Sequence, residues 1–152
     1  DVLFGKNDGL FFRFGKIIKL LPMIPLPKGS KAMFNPLFVK DAAYAIDKIV
    51  KSKIFHGKLF ELFGPKSYSW EELMIFFKKN IHSRVFLIKV PITLLSFPAL
   101  FFGFLPNPLI TIDQLRRFKV RVKYDKKNLV MNDLSIKTSS IETEMPKYLK
   151  NF

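Results

Sequence analysis

A chain of 152 residues, 49% hydrophobic and 15% aromatic, holds enough apolar material for one compact core and corresponds in length to about one domain. It has no cysteine and two histidines, His56 and His82, which excludes disulfides and thiolate metal sites and leaves no ligand set for a metal cluster. The formal net charge of +14 favours anionic partners, whether nucleic acid, an acidic membrane or an acidic protein, although lysines scattered in this way are also what compositional drift produces.

The chain opens with Asp1-Val2-Leu3-Phe4-Gly5 rather than Met. This reads as the end of a buried strand without its beginning, so a fragment or processed product is expected. Leu10, Phe11, Phe14, Ile17, Ile18 and Leu21 then recur at helical spacing, which predicts an amphipathic helix over 9–21. Pro22 stops it. The run from Pro22 to Pro27 is expected to be extended, turning at Lys28-Gly29-Ser30. Met33 to Val39 carries Asn35-Pro36 inside and suits a short edge strand or extended segment. Asp41 precedes an alanine-rich helical stretch through Val50 and is expected to be its N-cap.

After Gly57, the segment Leu59-Phe60-Glu61-Leu62-Phe63 predicts a largely buried strand. Ser69-Trp70-Glu71-Glu72 has capping-box spacing and predicts a helix through about His82. Val85 to Val90 reads as another strand, and Pro91 as the first residue of an apolar helix. No charge occurs from Val90 to Ile112, a length that could cross a bilayer. Pro91, Pro98, Pro106 and Pro108 interrupt it, which favours a buried or interfacial helix over a span. Thr111 to Gln114 is a second capping box opening a helix with the densest basic cluster: Arg116, Arg117, Lys119, Arg121, Lys123, Lys126 and Lys127. Residues 124–135 read as loop or short strand. Ser139-Ser140-Ile141-Glu142 is a third box, and Ile141, Met145, Tyr148, Leu149 and Phe152 form the packing stripe of a terminal helix broken near Pro146.

Motifs that carry chemistry are sparse. There is no GxGxxG, no P-loop and no GxSxG, and the carboxylate pairs Glu71/Glu72 and Glu142/Glu144 sit where helix starts account for them. Phe118 and Tyr124 are the only aromatics inside the basic cluster, so base reading has no support. Attachment to an anionic membrane surface fits better, because the basic segment directly follows an uncharged, proline-bounded one.

The order of certain segments resembles a known family. Phe4-Gly5-Lys6-Asn7-Asp8, followed by the helix, is similar to a V-x-x-G-x-x-D loop. Phe34-Asn35-Pro36-Leu37-Phe38-Val39-Lys40-Asp41-Ala42-Ala43-Tyr44-Ala45-Ile46 is similar to F-x-P-V-x-V-x-D-V-A-x-A-I. Gly57 to Pro65 with Tyr68-Ser69-Trp70-Glu71-Glu72-Leu73 is similar to G-x-x-Y-E-L-x-G-P followed by Y-T-x-x-E-L. These are segments from the second half of extended and atypical short-chain dehydrogenase/reductases. Leu105-Pro106-Asn107-Pro108-Leu109-Ile110-Thr111-Ile112-Asp113-Gln114, then Leu134-Ser135-Ile136 and Met145-Pro146-Lys147-Tyr148-Leu149, resemble the branch of nucleotide-binding accessory subunits of respiratory complex I and their bacterial relatives. Asn35 stands where that branch usually has Gln, and Ser135 where Gly often precedes Ile.

The resemblance implies an α/β fold: the C-terminal portion of a Rossmann-type NAD(P)-binding fold with a small, mostly helical substrate-side subdomain. Residues 1–66 would end the Rossmann-like core, and 67–152 would form the subdomain, with its basic segment at 116–127. The glycine-rich fingerprint and the Tyr-x-x-x-Lys region lie upstream in the family and are not in this chain. NADP or NAD would therefore be held mainly by an upstream half. Asp1, Val2, Leu3, Phe4 and Gly5 are the cofactor-adjacent candidates, and there is no catalytic candidate. The function implied is a non-catalytic, NAD(P)H-binding accessory protein of a membrane respiratory complex, peripheral on a mitochondrial matrix or bacterial cytoplasmic face. Two alternatives stand beside it: an active reductase, epimerase or dehydratase on a sugar nucleotide or similar small molecule, and a stand-alone basic binding module.

Overall fold

The computed structural model describes residues 2–6, 8, 11–96, 112–120 and 128–149. In chain order the strands are β1 (Leu3–Phe4), β2 (Met23–Lys28), β3 (Met33–Phe34), β4 (Leu37–Phe38), β5 (Phe60–Glu61), β6 (Tyr68–Ser69), β7 (Phe86–Pro91) and β8 (Leu129–Val130). The helices are α1 (Phe11–Leu20), α2 (Val39–Lys51), α3 (Trp70–Asn80), α4 (Ile112–Arg117) and α5 (Ile141–Leu149). The chain is mixed α/β, and β1 with β4, β2 with β7 and β5 with β8 form short parallel pairs. It divides into two compact units: Asp1–Lys16, Phe34–Ser67 and Lys123–Phe152 in the first, Ile17–Met33 and Tyr68–Val122 in the second.

The first unit is built round the β1–β4 pair, with Leu3 opposite Leu37 and Phe4 opposite Phe38. Asn35-Pro36 splits the 33–39 segment into two short strands, because proline cannot donate to a ladder. Helix α2 turns Ala42 and Ala45 inward, and with Leu37 they meet Met131, Leu134 and Ile136, flanked by Ile49, Phe55, Phe60 and Leu62. The Phe4 and Phe38 rings lie 5.3 Å apart, and Tyr148 of α5 stacks on Phe38 at 6.5 Å.

Four expectations for this unit are corrected. Asp41 is not the N-cap of α2: Phe38 holds that position without a side-chain cap. Asp41 lies in the first turn, where its carboxylate accepts the backbone N–H of Ser139 at 2.6 Å and the Ser139 hydroxyl at 3.4 Å. The strand expected over 59–63 is confined to Phe60–Glu61 and, among the described residues, pairs with β8. Leu59 is therefore 68% exposed and the next four residues are only half-buried. The terminal helix begins one residue late, so Ser140 rather than Ser139 precedes it, and Glu142 pairs with Lys66 at 2.9 Å. Helix α5 also runs through Pro146 instead of breaking there. That proline forfeits one backbone bond, while Ile141, Met145 and Leu149 remain buried on one stripe, and packing outweighs the lost bond.

In the second unit, β2 and β7 run parallel from Met23↔Phe86 to Lys28↔Pro91. The Phe86 N–H donates to the Pro22 carbonyl at 2.9 Å. Bonds alternate along a parallel strand, so Ile24 and Leu26 also direct their backbone polar groups at β7. Pro25 and Pro27 then fall on the outer edge, where a missing donor costs no ladder bond. Gly29 turns the chain at φ +77°, a conformation open to glycine at little cost. Ile24, Leu26, Leu73, Met74, Phe77 and Val85 are buried. The Ser69 box forms as its spacing predicts: the Ser69 hydroxyl accepts from the Glu72 N–H at 3.2 Å, and the Glu72 carboxylate accepts the Ser69 N–H at 2.6 Å. Pro91 ends β7, and the backbone is helical over 92–96. No helix among the described residues is long and apolar enough to cross a membrane. Pro98, Pro106, Pro108 and the Thr111 box lie outside the described residues.

Candidate functional site

The C-terminal ends of β1 and β4 point the same way, and in open α/β sheets that end is where ligands gather. Four of the five residues singled out there are described; Asp1 lies outside. The Val2 carbonyl accepts the Leu37 N–H at 2.8 Å, so its main chain belongs to the strand pair. Leu3 leaves half of its side chain exposed, while Phe4 is fully buried against Phe38. A Cβ placed on Gly5 would lie 2.6 Å from Val39 Cγ1, so a larger residue there would push β1 away from the start of α2.

Asp8 completes this loop. Its carboxylate accepts the N–H groups of Phe11 at 2.5 Å and Phe12 at 3.3 Å, and that of Gly5 at 3.4 Å. The spacing of Gly5 and Asp8 thus has a local cause: the glycine lets the strand end approach Val39, and the carboxylate satisfies orphan donors in the first turn of α1. Of these four residues Leu3 is exposed and Val2 half-buried, Phe4 and Gly5 are buried, and none carries a titratable side chain. Asp8 had a readable signal, an aspartate just ahead of an apolar helical run.

Two further motif segments meet in the first unit. The Gly64 N–H donates to the Asn35 carbonyl at 3.1 Å, and a Cβ on Gly64 would stand 1.8 Å from the Pro36 carbonyl oxygen. Buried Asn35 accepts from the Ser67 hydroxyl at 2.5 Å. The Asn-Pro and Gly-Pro dipeptides are therefore one docking point. Ser135 adopts φ +52°, ψ +40°, the left-handed region in which glycine is preferred.

The basic cluster is described in part. Arg116 and Arg117 end α4 and are exposed with Lys119. Phe118 packs edge-on against Trp70 with ring centroids 5.3 Å apart, and its carbonyl accepts the Lys31 N–H at 2.8 Å. Phe118 thus anchors the segment while the described cations Arg116, Arg117 and Lys119 are exposed. Arg121, Lys123, Lys126 and Lys127 lie outside the described residues. Among the described residues no group of three His, Asp or Glu side chains could hold a metal ion.

A second surface was not singled out by sequence reasoning. A groove of about 670 Å³ runs between the C-terminal half of α3 and the start of β7, lined by Ile75, Lys78, Lys79, His82, Ser83, Phe86 and Leu87. Its floor is set by the end of α3. His82 takes φ +54°, the Ser83 N–H returns to the Lys78 carbonyl at 3.1 Å, and the His82 N–H returns to Lys79 at 3.3 Å, the bond pattern of a Schellman cap. Lys78, Lys79 and His82 at i, i+1 and i+4 were the available signal, hidden because a helix C-terminus ordinarily attracts cations.

No family model matches the chain. Among curated proteins it is similar to the NADH-ubiquinone oxidoreductase 40 kDa subunit, mitochondrial, of Neurospora crassa, with 24% identity over 99% of this chain. The chain spans 39% of the length of that relative.

Proposed function

We propose that this chain is the C-terminal part of an NAD(P)H-binding accessory protein of a complex I-type respiratory assembly, of the atypical short-chain dehydrogenase/reductase kind. The observation that carries the reading is collinear similarity to a mitochondrial NADH-ubiquinone oxidoreductase subunit along essentially the whole chain. The short parallel α/β pairs and the structural work done by Gly5, Asp8 and Gly64 are in keeping with it, since these are among the residues on which the family resemblance rests.

In this reading an upstream Rossmann half holds NADP or NAD, and Val2 to Gly5, with Asp1 ahead of them, run beside its nicotinamide end. The dinucleotide when bound would serve a structural role, without turnover. The partners are the upstream half, neighbouring respiratory subunits and an anionic membrane surface reached by Arg116, Arg117, Lys119, Arg121, Lys123, Lys126 and Lys127. The location is peripheral, on the matrix or cytoplasmic face.

The test is to purify the full-length protein, release bound nucleotide by denaturation and quantify it, and in parallel capture the tagged protein from detergent-solubilised membranes. A stoichiometric dinucleotide with NADH-dehydrogenase subunits in the eluate is the expected result. A protein free of nucleotide that recovers no respiratory subunit overturns the reading.

A further inference from the structure

The groove beside α3 continues onto an apolar sheet face in the same unit. Phe86 lines the groove and is also the register partner of Met23, and Ile88, two residues along β7, is the partner of Pro25. Side chains two apart on a strand share a face, so Met23, Pro25, Phe86 and Ile88 make one surface. Phe86 is 69% exposed, Met23 54% and Ile75 across the groove 51%. Single exposed apolar residues are ordinary, whereas a contiguous set rimmed by charge marks an interaction surface.

The rim is cationic. Lys78 and Lys79 have no ion-pair partner among the described residues, and His82 stands beside them. The carboxylates of α3, Glu71 and Glu72, occupy its opposite end. Glu71 pairs with Lys89 at 2.9 Å and Glu72 closes the Ser69 box. The Ser83 hydroxyl donates to the Ile18 carbonyl at 2.7 Å, which ties the last turn of α1 to a residue of the groove.

We propose that this face is a docking site for an acidic phospholipid surface, with Lys78, Lys79 and His82 receiving phosphate headgroups while Phe86, Met23 and Ile88 enter the acyl boundary. Three features favour lipid over other anionic partners. A free phosphate would gain nothing from the neighbouring apolar face. A protein strand adding to the outer edge of β2 would find no donor at Pro25 or Pro27. Those same prolines lower the cost of bringing the edge into a medium that cannot hydrogen-bond. Apolar side chains combined with a basic rim are what binds a helix or sheet face in the interfacial plane. The proposal uses none of the residues on which the nucleotide reading or the Arg116 to Lys127 segment rests.

The test uses full-length protein and co-sedimentation with vesicles of phosphatidylcholine alone or of equimolar phosphatidylcholine and phosphatidylglycerol. The unsubstituted protein is expected to favour the anionic vesicles and to be released by salt. Lys78→Gln with Lys79→Gln, and separately Met23→Ser with Phe86→Ser, are each expected to weaken that partition on the order of tenfold, with melting curves unchanged because all four side chains reach solvent. Unaltered partition in both double variants overturns the proposal. So does complete release of protein by inorganic phosphate with no effect of the Phe86 change, which assigns a free-phosphate site. Normal vesicle binding with loss of co-purifying respiratory subunits also overturns it, in favour of an acidic protein partner. Arg116→Gln with Arg117→Gln, carried alongside, reports on the basic segment separately, and nucleotide content reports on the accessory-protein reading.

Discussion

The carboxylate of Asp41 accepts the backbone N–H of Ser139 at 2.6 Å, joining the first turn of α2 to the approach to α5 across 98 residues of chain. Hydrogen bonds with one charged partner contribute more than neutral ones, about 1.5–3 kcal/mol. Asp41→Ala is expected to cost about 2 kcal/mol and Asp41→Asn about half of that, read as a shift of the urea midpoint. Amide exchange at Ser139 should accelerate in both variants, and an unchanged rate would mean the contact contributes nothing.

Gly64→Ala tests the docking of the two proline dipeptides. The new methyl group would meet the Pro36 carbonyl oxygen at 1.8 Å, and backbone on both sides prevents easy relief. A loss of about 3 kcal/mol is expected, or a fall in Tm on the order of 10 °C. A Tm within a degree or two of the parent would show that the 35–36 and 64–65 segments do not pack as described.

Ser135→Gly should act in the other direction. Ser135 holds a left-handed conformation that costs a residue with a Cβ about 1 kcal/mol or more, part of which returns as the greater chain entropy of glycine when unfolded. A net gain of about 0.5–1 kcal/mol in denaturant unfolding is expected, and any loss contradicts the assigned geometry.

Ser69→Ala removes one half of a closed capping box and should cost about 1 kcal/mol, with Ser69→Gly milder. Thermal melts of both, compared with Glu72→Ala, check whether the two halves act together.

What could be read from the chain follows the range of each interaction. Pro22 stopping α1, the Gly29 turn and the Ser69 box are decided within four residues, and the structure has them where the spacing puts them. Asp41 reads as a cap because the residues after it are helical, but the group it serves is 98 positions away and leaves no local trace. Pro146 looked like a break because a propensity rule weighs the lost bond and cannot weigh the burial of Ile141, Met145 and Leu149. At the candidate site the identity of Gly5 was legible and its reason was not, because Val39 approaches it from another element. The groove was unreadable for a similar cause: Ile75 and Phe86 become neighbours only once β7 has returned along α3.

The first unit is assembled from three separated stretches of chain, and its core shows the consequence during synthesis. Leu37, Ala42 and Ala45 leave the ribosome about 90 residues before Met131, Leu134 and Ile136, the side chains that cover them. At translation rates on the order of 5–20 residues per second, that face stays open to water for several seconds. The second unit waits less, since β2 emerges 63 residues before its partner β7 and α3 comes just ahead of that strand. A nascent chain that has emerged as far as residue 130 would therefore carry the whole second unit together with an uncovered apolar surface, the form in which a chaperone would be expected to hold it.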